Sequence, residues 1–456
     1  MTDLPPGWAR TTIGDLLLAI EAGKSFRCEA RPARPEEWGV IKVSAMTWGE
    51  FRETENKAVQ PNAEIDPANE VKPGDILLSR ANTEAYVGAS VLVGECRPRL
   101  LLSDKSLRLV PSSLVDRRWF AYLLSSPGVR REISRRATGT KDSMRNISQA
   151  SLREIRVLVP PIAEQRRIVA ALEDHLSRLD AADAGVSRVA RRLKLLTKRI
   201  LVEAVPVPGP DHWKLVSVAD AGSVELGRAR HPDWHTGPHM RPYLRVANVF
   251  EDRIDTSDLM EMDFPPDVFE RYRLVDKDIL LNEGQSPEYL GRPAMYRGVP
   301  ENVAFTNSLL RFRAGPGVLP EWALLVFRRH MHAGRFIREL RITTNIAHLS
   351  ATRLKKVEFP IPPMEEQERI VAEVQDKLAA VQRLADAVDA GTKRAQALRR
   401  ALLAEAFAGR LVEQDPADEP ASVLLERIRA ERAARQPVRR GRRGKNGTVP
   451  QKETLV

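Results

Sequence analysis

Side chains that could act as acids, bases, metal ligands or phosphate binders are few in this chain, and each has a plainer reading. Ala22-Gly23-Lys24-Ser25 ends like a phosphate-binding loop, but that loop needs a glycine where Leu18 stands, so the segment reads as a turn. His231, His235 and His239 recur every four residues, as ligands on one helix face would, yet Pro232 and Pro238 exclude a helix there. Glu283 and Glu288 would have to divide acid and base work from a Gly- and Pro-containing stretch, where carboxylates are usually solvated. Cys28 and Cys96 are too few for a zinc site or a disulfide framework. What remains is binding chemistry: Arg, Asn and Gln side chains that can hydrogen-bond a polar or anionic partner. No catalytic set emerges, which favours a binding role.

The recognition candidates fall in two kinds of place. Polar residues follow two similar apolar runs: Arg80, Asn82 and Thr83 come after Ile76-Leu77-Leu78, and Asn282 and Gln285 come after Ile279-Leu280-Leu281. Two ordinary surface loops are the alternative. Basic residues also cluster at helical spacing, as Arg130, Arg131 and Arg135 with Lys141 and Arg145, and again as Arg328, Arg335 and Arg338 with Asn345 in a nearby polar turn. Such residues can grip phosphates, or they can simply solvate a helix face.

The elements that position these residues occur twice. Pro160-Pro161-Ile-Ala-Glu-Gln-Arg-Arg-Ile-Val-Ala170 returns as Pro362-Pro363-Met-Glu-Glu-Gln-Glu-Arg-Ile-Val-Ala372, with eight of eleven positions identical at an offset of 202. Upstream, Asp75 to Leu78 matches Asp278 to Leu281 and Trp119 matches Trp322 at 203, and Trp8 faces Trp213 at 205. A unit of about 200 residues therefore fills the chain twice. Each copy begins with Pro, Gly and short strand-like runs, Gly39 to Val43, Asp75 to Leu78, Leu107 to Val110 and Leu309 to Phe312 among them. Helices follow over 118–125 and 129–136, and over 321–340 in the second copy.

After each Pro-Pro pair the pattern changes. Ile168, Leu172, Leu176, Leu179, Val186, Val189, Leu193, Leu196 and Ile200 form a heptad seam, as do Ile370, Val374, Leu378, Val381, Leu384, Val388, Leu398 and Leu402. Each predicts a helix of about 40 residues whose stripe needs a partner. The two copies are natural antiparallel partners; the alternative is that each helix packs only on its own globular body. The expected fold is α+β: two tandem mixed α/β domains, 1–157 and 206–359, each followed by a long helix, 158–205 and 360–412, the helices pairing as an antiparallel coiled coil. Residues 413–456 read as a basic, disordered tail: between Glu426 and Asn446 there are nine Lys and Arg against two Glu.

Composition agrees with this picture. The 456 residues are 43% hydrophobic and 29% charged with a formal net charge of +11, which excludes a wholly disordered or fibrous chain. The longest apolar run, Trp322 to Phe327, is too short to span a membrane, and residues 1–10 lack a secretory pattern, so a cytoplasmic location is expected.

Two diverged α+β domains, each followed by a Pro-Pro-x-x-Glu-Gln-x-Arg-Ile-Val helix, resemble the specificity subunit of a type I restriction-modification system. The resemblance covers residues 1 to about 412. It implies two target recognition domains that each read half of a split, asymmetric double-stranded DNA sequence. It also implies a spacer built from the helices, on which Ile168, Leu172, Leu179, Leu193, Ile370, Val374, Val381 and Leu402 would lie at the helix pair and partner interface. Two modification (methyltransferase) subunits and restriction (motor and nuclease) subunits would be partners. The chain itself would bind no cofactor; S-adenosylmethionine, ATP and magnesium would sit on those partners. A coiled-coil scaffold that binds only protein is the competing reading.

Overall fold

The second proline of each Pro-Pro pair can start a helix because its carbonyl accepts the first helical bond, and its missing N–H falls where helices leave N–H groups unpaired. In the computed structural model, which describes residues 4–139, 144–338 and 347–435, Gln165 N donates to Pro161 O (2.9 Å) and Gln367 N to Pro363 O (3.0 Å). The helices run Ile162–Ala204 and Met364–Ala406, 43 residues each. Their length is about 65 Å at 1.5 Å per residue.

The Glu-Gln pair that follows ties each helix to the body before it. Glu164 accepts the indole N–H of Trp8 at 3.0 Å, and Glu366 that of Trp213 at 3.1 Å. Gln165 and Gln367 are wholly buried, and their Oε1 atoms accept the backbone N–H of Asp116 (3.1 Å) and of Leu319 (2.9 Å). Burial pushes the Glu164 carboxyl above its ordinary value, whereas the bond to His212, 3.0 Å away, draws Glu366 below it. The repeated motif is thus a joint between helix and body.

Contacts divide the chain into two units: residues up to Asp183 together with those from Lys393 onward, and Ala184–Thr392. The first unit holds a four-stranded antiparallel sheet in the order Leu17–Ala22, Ser106–Pro111, Ile76–Ser79, Ser90–Leu92. The second holds one in the order Gly222–Leu226, Leu309–Ala314, Ile279–Asn282, Pro293–Met295. Each unit also has a three-stranded sheet, centred on Gly39–Ile41 or Met240–Leu244. In each, a strand pair joins the start of the body to the last strand before the long helix, Ala9–Thr12 with Arg156–Val159 and Lys214–Ser217 with Glu358–Ile361.

The central strands read as unbroken apolar runs because both faces are covered. Ile76 and Leu78 pack with Trp119, Leu123 and Ile168, while Leu77 packs with Ile41 and Met46 on the other side. Ile279 and Leu281 face Trp322 and Ile370, and Leu280 faces Leu244 and Phe305. The strand expected to reach Val43 stops at Ile41, and Val43 opens a short 3-10 turn.

The helices against these sheets differ between units. Asp116 caps Arg117–Ser125, and Ser126 caps a second helix, Pro127–Arg136. In the second unit one helix, Pro320–His332, takes this place. It ends eight residues before the expected Leu340, since Gly334 adopts a left-handed φ of +67° that halts the helix; Leu340 itself lies outside the described residues.

The expectation of a disordered tail from residue 413 is corrected as far as Arg435. Ala421–Arg435 is a helix whose Leu424, Leu425 and Ile428 complete the first unit's core, with Arg432 3.3 Å from Asp15 and Glu431 accepting from Ser112. Those three apolar residues share one helix face. The basic stretch after it, Arg439 to Lys445, lies outside the described residues. Among the described residues, no helix is long and apolar enough to cross a membrane.

Candidate nucleic-acid interface

In the first unit the chain leaves the strand Ile76–Ser79 and makes a second, two-residue ladder. Asn82 pairs with Arg145 and Ala81 with Asn146, while Arg80 N donates to Lys105 O (2.8 Å) and Ile147 N to Arg80 O (3.0 Å). This brings Arg80, Asn82, Thr83 and Arg145 together although more than 60 residues separate them in the chain. Asn82 accepts the N–H of Thr83 at 2.8 Å, which fixes the turn. Arg80 Nε and Arg145 Nε are buried with no hydrogen-bond partner, and neither residue has an ion pair among the described residues. Two arginines held by their backbones and left unpaired are suited to an anionic or base-edge ligand.

The basic helix beneath this loop separates into roles that spacing did not reveal. Arg130 donates to Val87 O (2.6 Å) and Ala85 O (3.1 Å), so it clamps the loop rather than facing solvent. Arg131 is exposed and has no ion pair among the described residues, and Arg135 is exposed but engaged with Glu132 at 2.7 Å. Lys141 lies outside the described residues, as does Asn345 in the second unit.

The second unit repeats the ladder with different residues. Gly284 pairs with His348 and Gln285 with Ala347, and His348 Nδ1 lies 3.1 Å from a Glu283 carboxylate oxygen. Glu283 therefore has a histidine for a partner rather than Glu288. Three expected contacts are corrected here. Asn282 is fully buried, since the strand continues one residue past Leu281 and turns that side chain inward beside Val249 O. Arg328 is buried in ion pairs with Glu251 (2.9 Å) and Asp252 (3.1 Å), and it helps hold Glu251 ionised. Arg335 binds Glu358 at 2.7 Å on the closing strand. Arg338 is exposed, and Gln285 is half-buried with its Oε1 accepting from Ser286 N.

Lys24 sits 3.5 Å from Asp66, and His231 accepts from Asp233 N across Pro232. Among the described residues no group of three or more His, Cys, Asp or Glu could hold a metal ion. Sequence reading passed over Tyr86 and Tyr289, which are exposed at the tips of the two loops; their shared offset of 203 was the available signal.

Comparison with known proteins places this geometry. Residues 273–382, which include the second loop and most of the joint, match the family model of the type I restriction modification DNA specificity domain. The chain is 24% identical over 459 residues to the EcoKI specificity subunit of Escherichia coli (strain K12), covering 94% of this chain and 97% of that one. It is 34% identical over 181 residues to the EcoEI specificity subunit of Escherichia coli, covering 39% and 30%. A solved chain from a study of complex assembly and conformational transition of the type I R-M system superposes over 90% of this chain and all of its own, with a TM-score of 0.67 at 19% identity, which shows a shared fold. Over most of its length this chain is similar to type I restriction-modification specificity subunits.

The long helices leave part of their stripe uncovered. Ile168 and Leu172 lie in the first unit's core, where Leu402 packs partly buried, and Leu179 is half-buried. In the same unit Arg399 reaches Asp183 at 3.1 Å and also contacts Asp180, so the start of one helix lies beside the end of the other. In the second unit Ile370 and Val374 join the core with Ile200 and Leu201, and Leu193 and Val381 are buried. Leu196 and Leu384 remain 42% and 54% exposed and line an apolar groove of about 670 Å³.

Proposed function

We propose that this chain reads DNA for a type I restriction-modification complex, each recognition domain, 1–157 and 206–359, taking one half of a bipartite asymmetric target. One observation carries the reading: the same ladder and loop recur at an offset of about 203, holding Arg80, Asn82 and Arg145 in one unit and Glu283, Gln285 and His348 in the other. A shared frame with different polar residues is what two readers of different half-sites require. The family match to a DNA specificity domain speaks against a scaffold that binds only protein.

The long helices, at 158–205 and 360–412 with their flanks, would pair antiparallel as the spacer, and their uncovered stripe would seat the modification subunits. Adenine methylation and ATP-dependent cleavage would then be done by partners that carry S-adenosylmethionine, ATP and magnesium, with this chain directing them. The test is co-purification with the cognate methyltransferase subunit, followed by mapping of methylated adenines. A split asymmetric motif that needs this chain supports the reading, and exchanging residues 1–157 for those of a relative should change one half alone. No complex and no motif would return the scaffold to favour.

A further inference from the structure

The two reading loops diverge almost everywhere, from Arg80-Ala-Asn-Thr-Glu-Ala to Glu283-Gly-Gln-Ser-Pro-Glu, yet each then presents a tyrosine and, two residues later, a glycine. Tyr86 is 48% exposed and Tyr289 47%. Each sits in the same turn, Tyr86 N donating to Thr83 O (3.0 Å) and Tyr289 N to Ser286 O (2.9 Å). Gly88 and Gly291 then take φ of +75° and +67°, and a Cβ there would lie 2.4 Å from Ile133 and 2.5 Å from Phe336. Each loop is therefore pressed onto the element behind it.

The clamps differ while the presented ring does not. Arg130 grips the carbonyls on both sides of Tyr86, whereas Arg292 lies over the Tyr289 ring (5.3 Å) and is anchored on Val249 O (2.7 Å). Holding a half-exposed aromatic ring rigid by two unrelated means, in otherwise divergent loops, indicates a contact that both units need. A tyrosine has a neutral hydroxyl donor and a flat apolar face, which suit phosphate oxygen and deoxyribose and carry little base information.

We propose that Tyr86 and Tyr289 are the common backbone contacts of the two units. Each donates its hydroxyl to a phosphate oxygen and lays its ring against the adjacent sugar, while the diverged residues before it face the bases. This rests on the DNA-reading function above.

The test uses the complete complex with its modification subunits. Tyr86→Phe, Tyr289→Phe and the two alanine variants are compared on a duplex carrying the mapped target and on an unrelated duplex at fixed salt. The phenylalanine variants should bind both duplexes about tenfold more weakly, with thermal unfolding and the mapped motif unchanged. The salt slope should also stay the same, since a neutral donor releases no counterion. Wild-type affinity in all four variants would overturn the assignment, as would a changed base preference in either half-site. Absence of any split motif with the wild-type complex would instead defeat the DNA-reading function itself.

Discussion

Gln367 shows how much one amide can hold. Its Oε1 accepts Leu319 N, and its Nε2 donates to Pro362 O and to Gly317 O at 2.9 Å each, with the Gln367 side chain itself wholly buried. Gln367→Ala strands these groups and should cost about 1–3 kcal/mol, read by denaturant unfolding. His330 gives a pH handle. It is fully buried, bonded to Glu358 O at 2.9 Å and beside Arg329, and burial followed by the arginine's charge pushes it down to about 4. The folded state therefore holds the neutral ring, while the unfolded chain takes up a proton near pH 6.5. Its contribution should be complete above about 6.5 and fade as pH falls toward 4; His330→Gln should flatten that stretch of the stability curve.

At the scale of elements, Ile428 is fully buried in the first unit's core while Arg429, next to it, is exposed. Ile428→Ala should cost about 2–4 kcal/mol and Arg429→Ala close to nothing, as differential scanning calorimetry would report. The long helices and central strands were legible because local periodicity and the internal match both marked them. The helix over Ala421–Arg435 was not: three apolar residues among four arginines carry a weak local signal, and their partners Asp15 and Ser112 are some 300 residues distant or more. The same limit applies to the candidate site. Helical spacing identifies a basic face, but only the folded body separates Arg131, which is exposed, from Arg328, which is buried against Glu251 and Asp252. The reading loops were found by position, and Asn282 was misplaced because one extra strand residue reverses the direction of a side chain.

For the whole molecule, two predictions follow from the proposed role. Arg131→Ala should weaken binding to target and unrelated duplexes alike and reduce the salt slope by about one, measured by anisotropy titrations across salt concentrations. Adding one heptad to both long helices lengthens each by about 10 Å. The mapped motif should then keep both half-sequences with a gap wider by about two to three base pairs.

The division of the chain has a consequence for its synthesis. The second unit, Ala184–Thr392, is contiguous, but the first needs residues up to Asp183 and those from Lys393 onward. On the ribosome, Trp119 and Leu123 emerge about 300 residues ahead of Leu424, Leu425 and Ile428, which complete their core, whereas the residues of the second unit emerge in one run. A message cut short near its end therefore damages the part of the protein that was translated earliest.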